Sequence, residues 1–243
     1  MRKVTTANID KKLASMAGTP AAANNLRKVL SRLHVHARKL GWRVDNPVEA
    51  TDAYAAGKGF HCWTDEELNA FDRRWPYGTR ERLAKELLLN TALRRSDVLT
   101  VGPRNRWGDS LILDHTKNNS GTRVPILKPL MAALEGVDGD PYVQTMYGEP
   151  FTSTGFYNWF KRACVKAGIP HCSPHGLRKA ISRRLAERGA TVLEGRAVTG
   201  HKTDREFMRY AEKANQAKMA AKAMANLDGE PEEQNPKTGD KPA

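Results

Sequence analysis

Apolar residues recur at three- and four-residue spacing through most of this chain, and switch to short continuous runs in one stretch near the middle. That pattern predicts helices interrupted once by strands. A short helix is expected at about Ile9–Ala17. Thr19-Pro20 then supplies an N-cap and a first-turn proline for a helix running to about Leu40, with Gly41 past its end. On that helix Leu26, Val29, Leu30, Leu33, Ala37 and Leu40 share one face, which should pack. Arg27, Lys28, Arg32, His34, Arg38 and Lys39 fill much of the remainder, facing water or phosphates. Asp45-Asn46-Pro47 breaks the pattern, and residues 55–59 (A-A-G-K-G) resemble a linker. A domain boundary is expected there, separating residues 1–56 from residues 62–225.

Thr64-x-x-Glu67 is a capping box opening the next helix, and another begins near Thr79. Around Leu111 the runs S-L-I-L-D-H and T-R-V-P-I-L flank T-K-N-N-S-G, the mark of a β-hairpin. A third strand is expected within Val98–Trp107. Helices resume at Leu127–Leu134 and at about Thr154–Ala167. Three well-marked ones follow: Ser173-Pro174 starts the first, and Thr191-x-x-Glu194 and Thr203-x-x-Glu206 box the others. The stretch Ala211–Ala225 is alanine-rich and helix-prone, and residues 226–243 read as a disordered tail. The fold class is therefore mainly α with a small antiparallel β-sheet (α+β).

Charge changes the picture. The 243 residues carry a net +13, and residues 1–221 alone carry +15, because the tail is acidic. A foldable region this basic favours a polyanionic partner. No apolar run approaches the ~20 residues of a membrane span, and the N-terminus lacks a signal peptide's apolar stretch. A cytoplasmic protein without membrane contact is expected. Three scattered cysteines (Cys62, Cys164, Cys172) point to reduced packing thiols rather than a disulfide framework. H-C-S-P-H (His171, Cys172, His175), even with His61-Cys62, matches no standard zinc spacing, so no metal is expected. There is neither a Walker A sequence nor H-E-x-x-H.

Several residues stand out for chemistry. In S-P-H-G-L-R-K, His175 and Arg178 lie three apart in the first turns of a helix and project to one side, where free N–H groups also suit an anion. Arg94 sits among apolar residues and needs a partner, which Asp97 can supply. Lys117 occupies the hairpin loop. His201 follows Gly200, and Tyr210 comes nine residues later, three after Phe207 on one helix face. Taken singly, each also reads as an ordinary surface or packing residue.

Taken in order, L-R-R-S-D, a hairpin T-K, H-G-L-R, G-H and the final tyrosine resemble the tyrosine recombinase family, the phage integrases, from Trp63 to about Ala217. The earlier stretch N-N-L-R-K-V-L-S-R-L-H-V-H-A-R-K-L-G-W, with its later N-P, is similar to the end of that family's core DNA-binding domain. The helices that normally begin that domain have no counterpart here, so residues 1–56 are expected to be a partial version of it.

The resemblance implies a site-specific recombinase that breaks and rejoins DNA strands through a 3′-phosphotyrosyl intermediate. Tyr210 would be the nucleophile, and Arg94 and Arg178 would clamp the phosphate. Lys117 would protonate the leaving 5′ oxygen, His175 would act in acid–base catalysis, His201 would hydrogen-bond the phosphate or buttress the site, and Asp97 would orient Arg94. No cofactor is implied, because the phosphotyrosyl bond retains the energy of the broken one. Double-stranded DNA is the implied partner, with Arg27, Lys28, Arg32, Arg38 and Lys39 as candidate contacts. Self-association on DNA, up to a tetramer, would follow from a monomer in free solution. The segment Ala211–Ala225 would either dock on a neighbour or pack on its own domain. A type IB-like topoisomerase and a non-catalytic DNA-binding module are the competing readings.

Overall fold

A computed structural model describes residues 4–55, 57, 59–115, 120–211 and 216–228. The chain divides into two compact units, residues 1–59 and 60–243.

The first unit holds α1 (Thr6–Ala14) and α2 (Pro20–Lys39). Thr5 starts α1 three residues before the expected point, because its hydroxyl accepts from the Asn8 amide while the Asn8 side chain accepts from the Thr5 amide. Thr19 precedes α2 without forming a side-chain cap, and Gly41 takes a left-handed φ of 70° just beyond it. The core is small: Ile9, Leu13, Ala23 and Val48, with Leu26 and Leu30 packed partly against them. The expected packing face of α2 is therefore only half used. Val29, Leu33 and Leu40 stay 52%, 44% and 47% exposed, whereas His34, assigned to the polar face, is buried. One short helix and a turn cannot cover a 20-residue helix, so part of its apolar stripe remains in water.

The second unit is mostly helical with one three-stranded antiparallel sheet. Its elements are α3 (Asp65–Arg74), α4 (Arg80–Thr91), β1 (Arg106–Trp107), β2 (Ser110–His115), β3 (Ser120–Pro125), α5 (Lys128–Leu134), α6 (Ser153–Lys166), α7 (Pro174–Glu187), α8 (Val192–Thr199), α9 (Asp204–Ala211) and α10 (Gln216–Asp228). The capping boxes at Thr64/Glu67 and Thr191/Glu194 both form. In the sheet, Leu111 pairs with Val124 and Leu113 with Thr122. The third strand shrinks to two residues, since 97–99 and 103–105 take 3-10 turns around Pro103. The helix α10 runs three residues past the expected start of the tail, and residues 229–243 lie outside the described residues.

The helix α4 lies at the centre, packed on α7 and α5. An aromatic cluster closes the core on one side: Phe71 stacks on Phe160 at 5.4 Å between centroids, and Trp63 meets Phe71 edge-on at 5.4 Å. The Trp63 indole N–H donates to the Ser173 carbonyl at 2.9 Å, which ties residues 61–63 to the start of α7.

Candidate active site

The site is built on three helix ends. At the end of α4, Ala92 turns left-handed (φ 53°) and aims its carbonyl away from the helix. At the start of α7 stand His175 and Arg178. At the end of α8, Gly200 (φ 63°) lets the chain reverse before His201. Arg178 is 3% exposed and donates from Nη1 to the Ala92 carbonyl and from Nη2 to the Thr199 carbonyl at 2.6 Å. A guanidinium binds these two C-terminal carbonyls favourably, since they carry the negative ends of helix dipoles. Arg178 thus fastens α4, α7 and α8 together and is itself held in one plane.

Arg94 follows directly from that left-handed turn. Its Nη1 is buried without a hydrogen-bond partner among the described residues, and Asp97 Oδ2 stands 3.9 Å away. Asp97 is 1% exposed and accepts from the Ser96 hydroxyl at 3.0 Å. A buried guanidinium nitrogen so placed is suited to a further anion.

His201 is buried, with Nδ1 2.8 Å from the Thr199 hydroxyl. That hydroxyl has one proton and directs it to the Gly195 carbonyl at 2.7 Å. It therefore accepts from His201 Nδ1–H, which fixes the tautomer and the orientation of the ring. His175 lies against the Phe60 ring, centroids 4.6 Å apart. Burial, then the charges of Lys179, Arg178, Arg94 and Arg95, holds its pKa below 6.5. A neutral imidazole amid four cations can accept a proton at pH 7. The same influences show that His175, Arg178 and Arg94 share one electrostatic environment.

Two glycines make the arrangement possible. At Gly176, in H-G-L-R, an added methyl group would overlap the His61 carbonyl and the Trp63 ring. At Gly195 it would overlap the Phe207 ring. Phe207 is 1% exposed and anchors α9, which carries Tyr210, against α7 and α8. The side chain of Tyr210 and all of Lys117 lie outside the described residues. Strand β3, which follows the Lys117 loop, packs beside α8, and its Gly121, Thr122 and Arg123 line one open cleft with His201, of about 590 Å³.

The surface cations of α2 behave unequally. Lys28, Arg32, Arg38 and Lys39 are exposed, and Arg38 pairs with Glu49 at 3.3 Å. Arg27 instead donates to the Thr51 carbonyl at 2.6 and 3.1 Å and to the Thr51 hydroxyl, so its guanidinium braces a turn. Sequence reasoning missed Ala92 and Thr199. A left-handed alanine leaves no trace in a sequence, whereas the T-G-H run was a usable hint of a hydroxyl beside the histidine. The metal-like set considered earlier is also redrawn. His175 joins the cation cluster, and Glu67 instead meets His61, His171 and Cys172. Although burial acts to raise it, the Glu67 carboxyl is lowered to about 2 by the Thr64 amide, His171 and His61. Burial pushes the Cys172 thiol up, and Cys164 to about 12.

The sequence profile of the phage integrase family matches residues 65–217, which include every one of these helix ends. The chain belongs to the phage integrase family. It is a tyrosine-type site-specific recombinase, a DNA-acting enzyme. The tyrosine recombinase XerD of Xanthomonas axonopodis pv. citri (strain 306) is 26% identical over 212 residues, covering 75% of this chain and 68% of that protein. Among solved structures, a lambda integrase(75-356) dimer bound to a COC' core site aligns with TM-score 0.76 and 22% identity, over 87% of this chain and 81% of that one. The Tn1549 transposon integrase (residues 82–397, Y379F) in complex with transposon right end DNA aligns with TM-score 0.75 and 15% identity, over 94% and 87%. The topoisomerase and non-catalytic readings yield to the family match. The lambda integrase also aligns as a tetramer bound to a Holliday junction, with TM-score 0.75 and 22% identity. Among the described residues, no helix is long and apolar enough to cross a membrane.

Proposed function

We propose that Tyr210 attacks a DNA phosphodiester held between Arg94 and Arg178. The P–O5′ bond breaks, a 3′-phosphotyrosyl bond forms, and Lys117 gives its proton to the departing 5′ oxygen. His175 accepts the phenol proton. A phenol with pKa near ~10 needs such a base or a positive field to attack at neutral pH. The two guanidiniums act mainly on the transition state, where the non-bridging oxygens gather charge. His201, its ring fixed through Nδ1, hydrogen-bonds the phosphate or buttresses the site. A second strand's 5′-hydroxyl reverses the attack and joins the new partner.

One observation carries this reading: Arg94 and the Arg178 that ties three helix ends both act on a neutral His175, and the buried Nη1 of Arg94 has no hydrogen-bond partner among the described residues. Lys117, which falls between β2 and β3 in the chain, would arrive with DNA. The exposed cations of α2 would track the phosphate backbone. The protein would be monomeric when free, assemble on DNA and work in the cytoplasm.

The test uses a panel of nicked suicide DNA duplexes. The native chain should yield a covalent protein–DNA adduct stable to denaturant, and Tyr210→Phe none. An adduct persisting in the phenylalanine protein would move the nucleophile elsewhere.

A further inference from the structure

We propose that His61, Glu67, His171 and Cys172 form a binding site for one divalent metal ion of the zinc class. The four come from three segments: the irregular stretch entering the second unit, the first turn of α3, and, about 100 residues later, the turn before α7. Each offers one ligand atom, and these atoms lie within 4.8 Å of one another. Both imidazoles turn Nε2 inward onto one carboxylate. His61 Nε2 stands 2.9 and 2.8 Å from the two Glu67 oxygens, and His171 Nε2 also contacts Oε1. The rings meet edge-on with centroids 4.8 Å apart. Cys172 closes the set from the interior, being fully buried, while His61 and His171 face solvent and leave an approach for an ion.

The donor set decides the ion. Two imidazole nitrogens, one carboxylate oxygen and one sulfur match the borderline-soft, four-coordinate preference of zinc, with bonds of about 2.0–2.3 Å. Calcium and magnesium prefer six or more oxygens, or near that. On binding, the Cys172 thiol releases its proton to solvent and the sulfur coordinates as thiolate. The carboxylate and the imidazoles then separate slightly to make room for the ion. Without an ion the same residues can form only a hydrogen-bonded cluster, and the experiment below separates the two.

The place gives the ion a structural task. His171 lies four residues before His175, and residues 61–63 already press on α7 through Gly176 and the Trp63–Ser173 bond. A metal here would clamp the start of α7, where His175 and Arg178 begin, without touching the scissile phosphate.

The test needs no DNA, so its failure leaves the recombinase reading standing. Chelator-stripped full-length protein is titrated with Co2+ and then Zn2+. One equivalent of Co2+ should bind with the intense visible bands of a four-coordinate site and a thiolate-to-metal charge-transfer band, and Zn2+ should displace it and raise Tm. His61→Ala and His171→Ala, both at exposed positions, should each weaken binding by at least about 100-fold, the upper range for losing even an indirect support. Cys172→Ser should remove the charge-transfer band, whereas Cys62→Ser and Cys164→Ser should leave it intact. Absence of stoichiometric binding, a weak six-coordinate spectrum, or unchanged affinity in both histidine variants overturns the site.

Discussion

The helices α2 and α4 invert the simple expectation about what is buried. Twenty residues of α2 bury only three, while twelve residues of α4 bury ten, including Arg82, Lys85, Glu86 and Asn90. The better apolar stripe belongs to α2, yet α4 is the central element. The difference lies in what surrounds each helix. In α4 the charges are paired inside: Arg82 with Glu86 at 2.7 Å, Lys85 with Glu86 at 2.9 Å and with Asp72 at 3.0 Å, and Asn90 donating to Glu86 at 2.7 Å. Charges so satisfied can sit in a core. In the first unit α1 and the turn at Val48 cover only part of α2, and its Val29, Leu33 and Leu40 stay exposed.

The largest test of that contrast is Glu86→Ala. It removes the shared buried partner of Arg82 and Lys85, leaves both to the half-buried Asp72 alone, and should lower the stability of the second unit by up to about 3–5 kcal/mol in urea unfolding. Glu49→Ala, which removes the exposed partner of Arg38, should cost under ~1 kcal/mol. Next comes Arg178→Ala, which should slow single-turnover cleavage by ~10²–10³. Replacing Lys39 on α2 should instead leave that rate alone and reduce the salt slope of DNA binding by about one.

Gly176→Ala should cost roughly 1–3 kcal/mol, because the His61 backbone must move. The same change at Gly18, where nothing lies within 4 Å, should stay within about 0.5 kcal/mol. The smallest effect is on titration. The His175 pKa is lowered on folding, so its contribution to stability is fully present above 6.5 and is lost as pH falls through 6.5 toward the folded value. Removing a nearby positive charge with Lys179→Ala should raise the His175 pKa, measured by NMR on DNA-free protein. An unmoved value would mean that burial and the three arginines set it without Lys179.

Much was legible without coordinates. The capping boxes at Thr64 and Thr191 are local, each needing only two side chains and a few amides, so they form as read. The hairpin and the helices from Ser173 onward follow equally local rules. The identity of candidate residues in order, R-R-S-D through G-H, was likewise a matter of sequence. What the chain order could not convey was which groups meet. Ala92 becomes an acceptor for Arg178 only because α4 ends beside α7, and Glu67 meets His171, 104 residues away, only once α3 and α7 pack.

By itself, then, the sequence determined the periodicity, the caps and the supply of chemical groups, because these depend on neighbours within about one turn. The tertiary structure decided which apolar face is covered, which arginine braces and which keeps a buried nitrogen without a hydrogen bond among the described residues, and that His175 is held below its ordinary pKa. Those outcomes depend on desolvation and charge at close range, and distance between remote segments exists only in the folded chain.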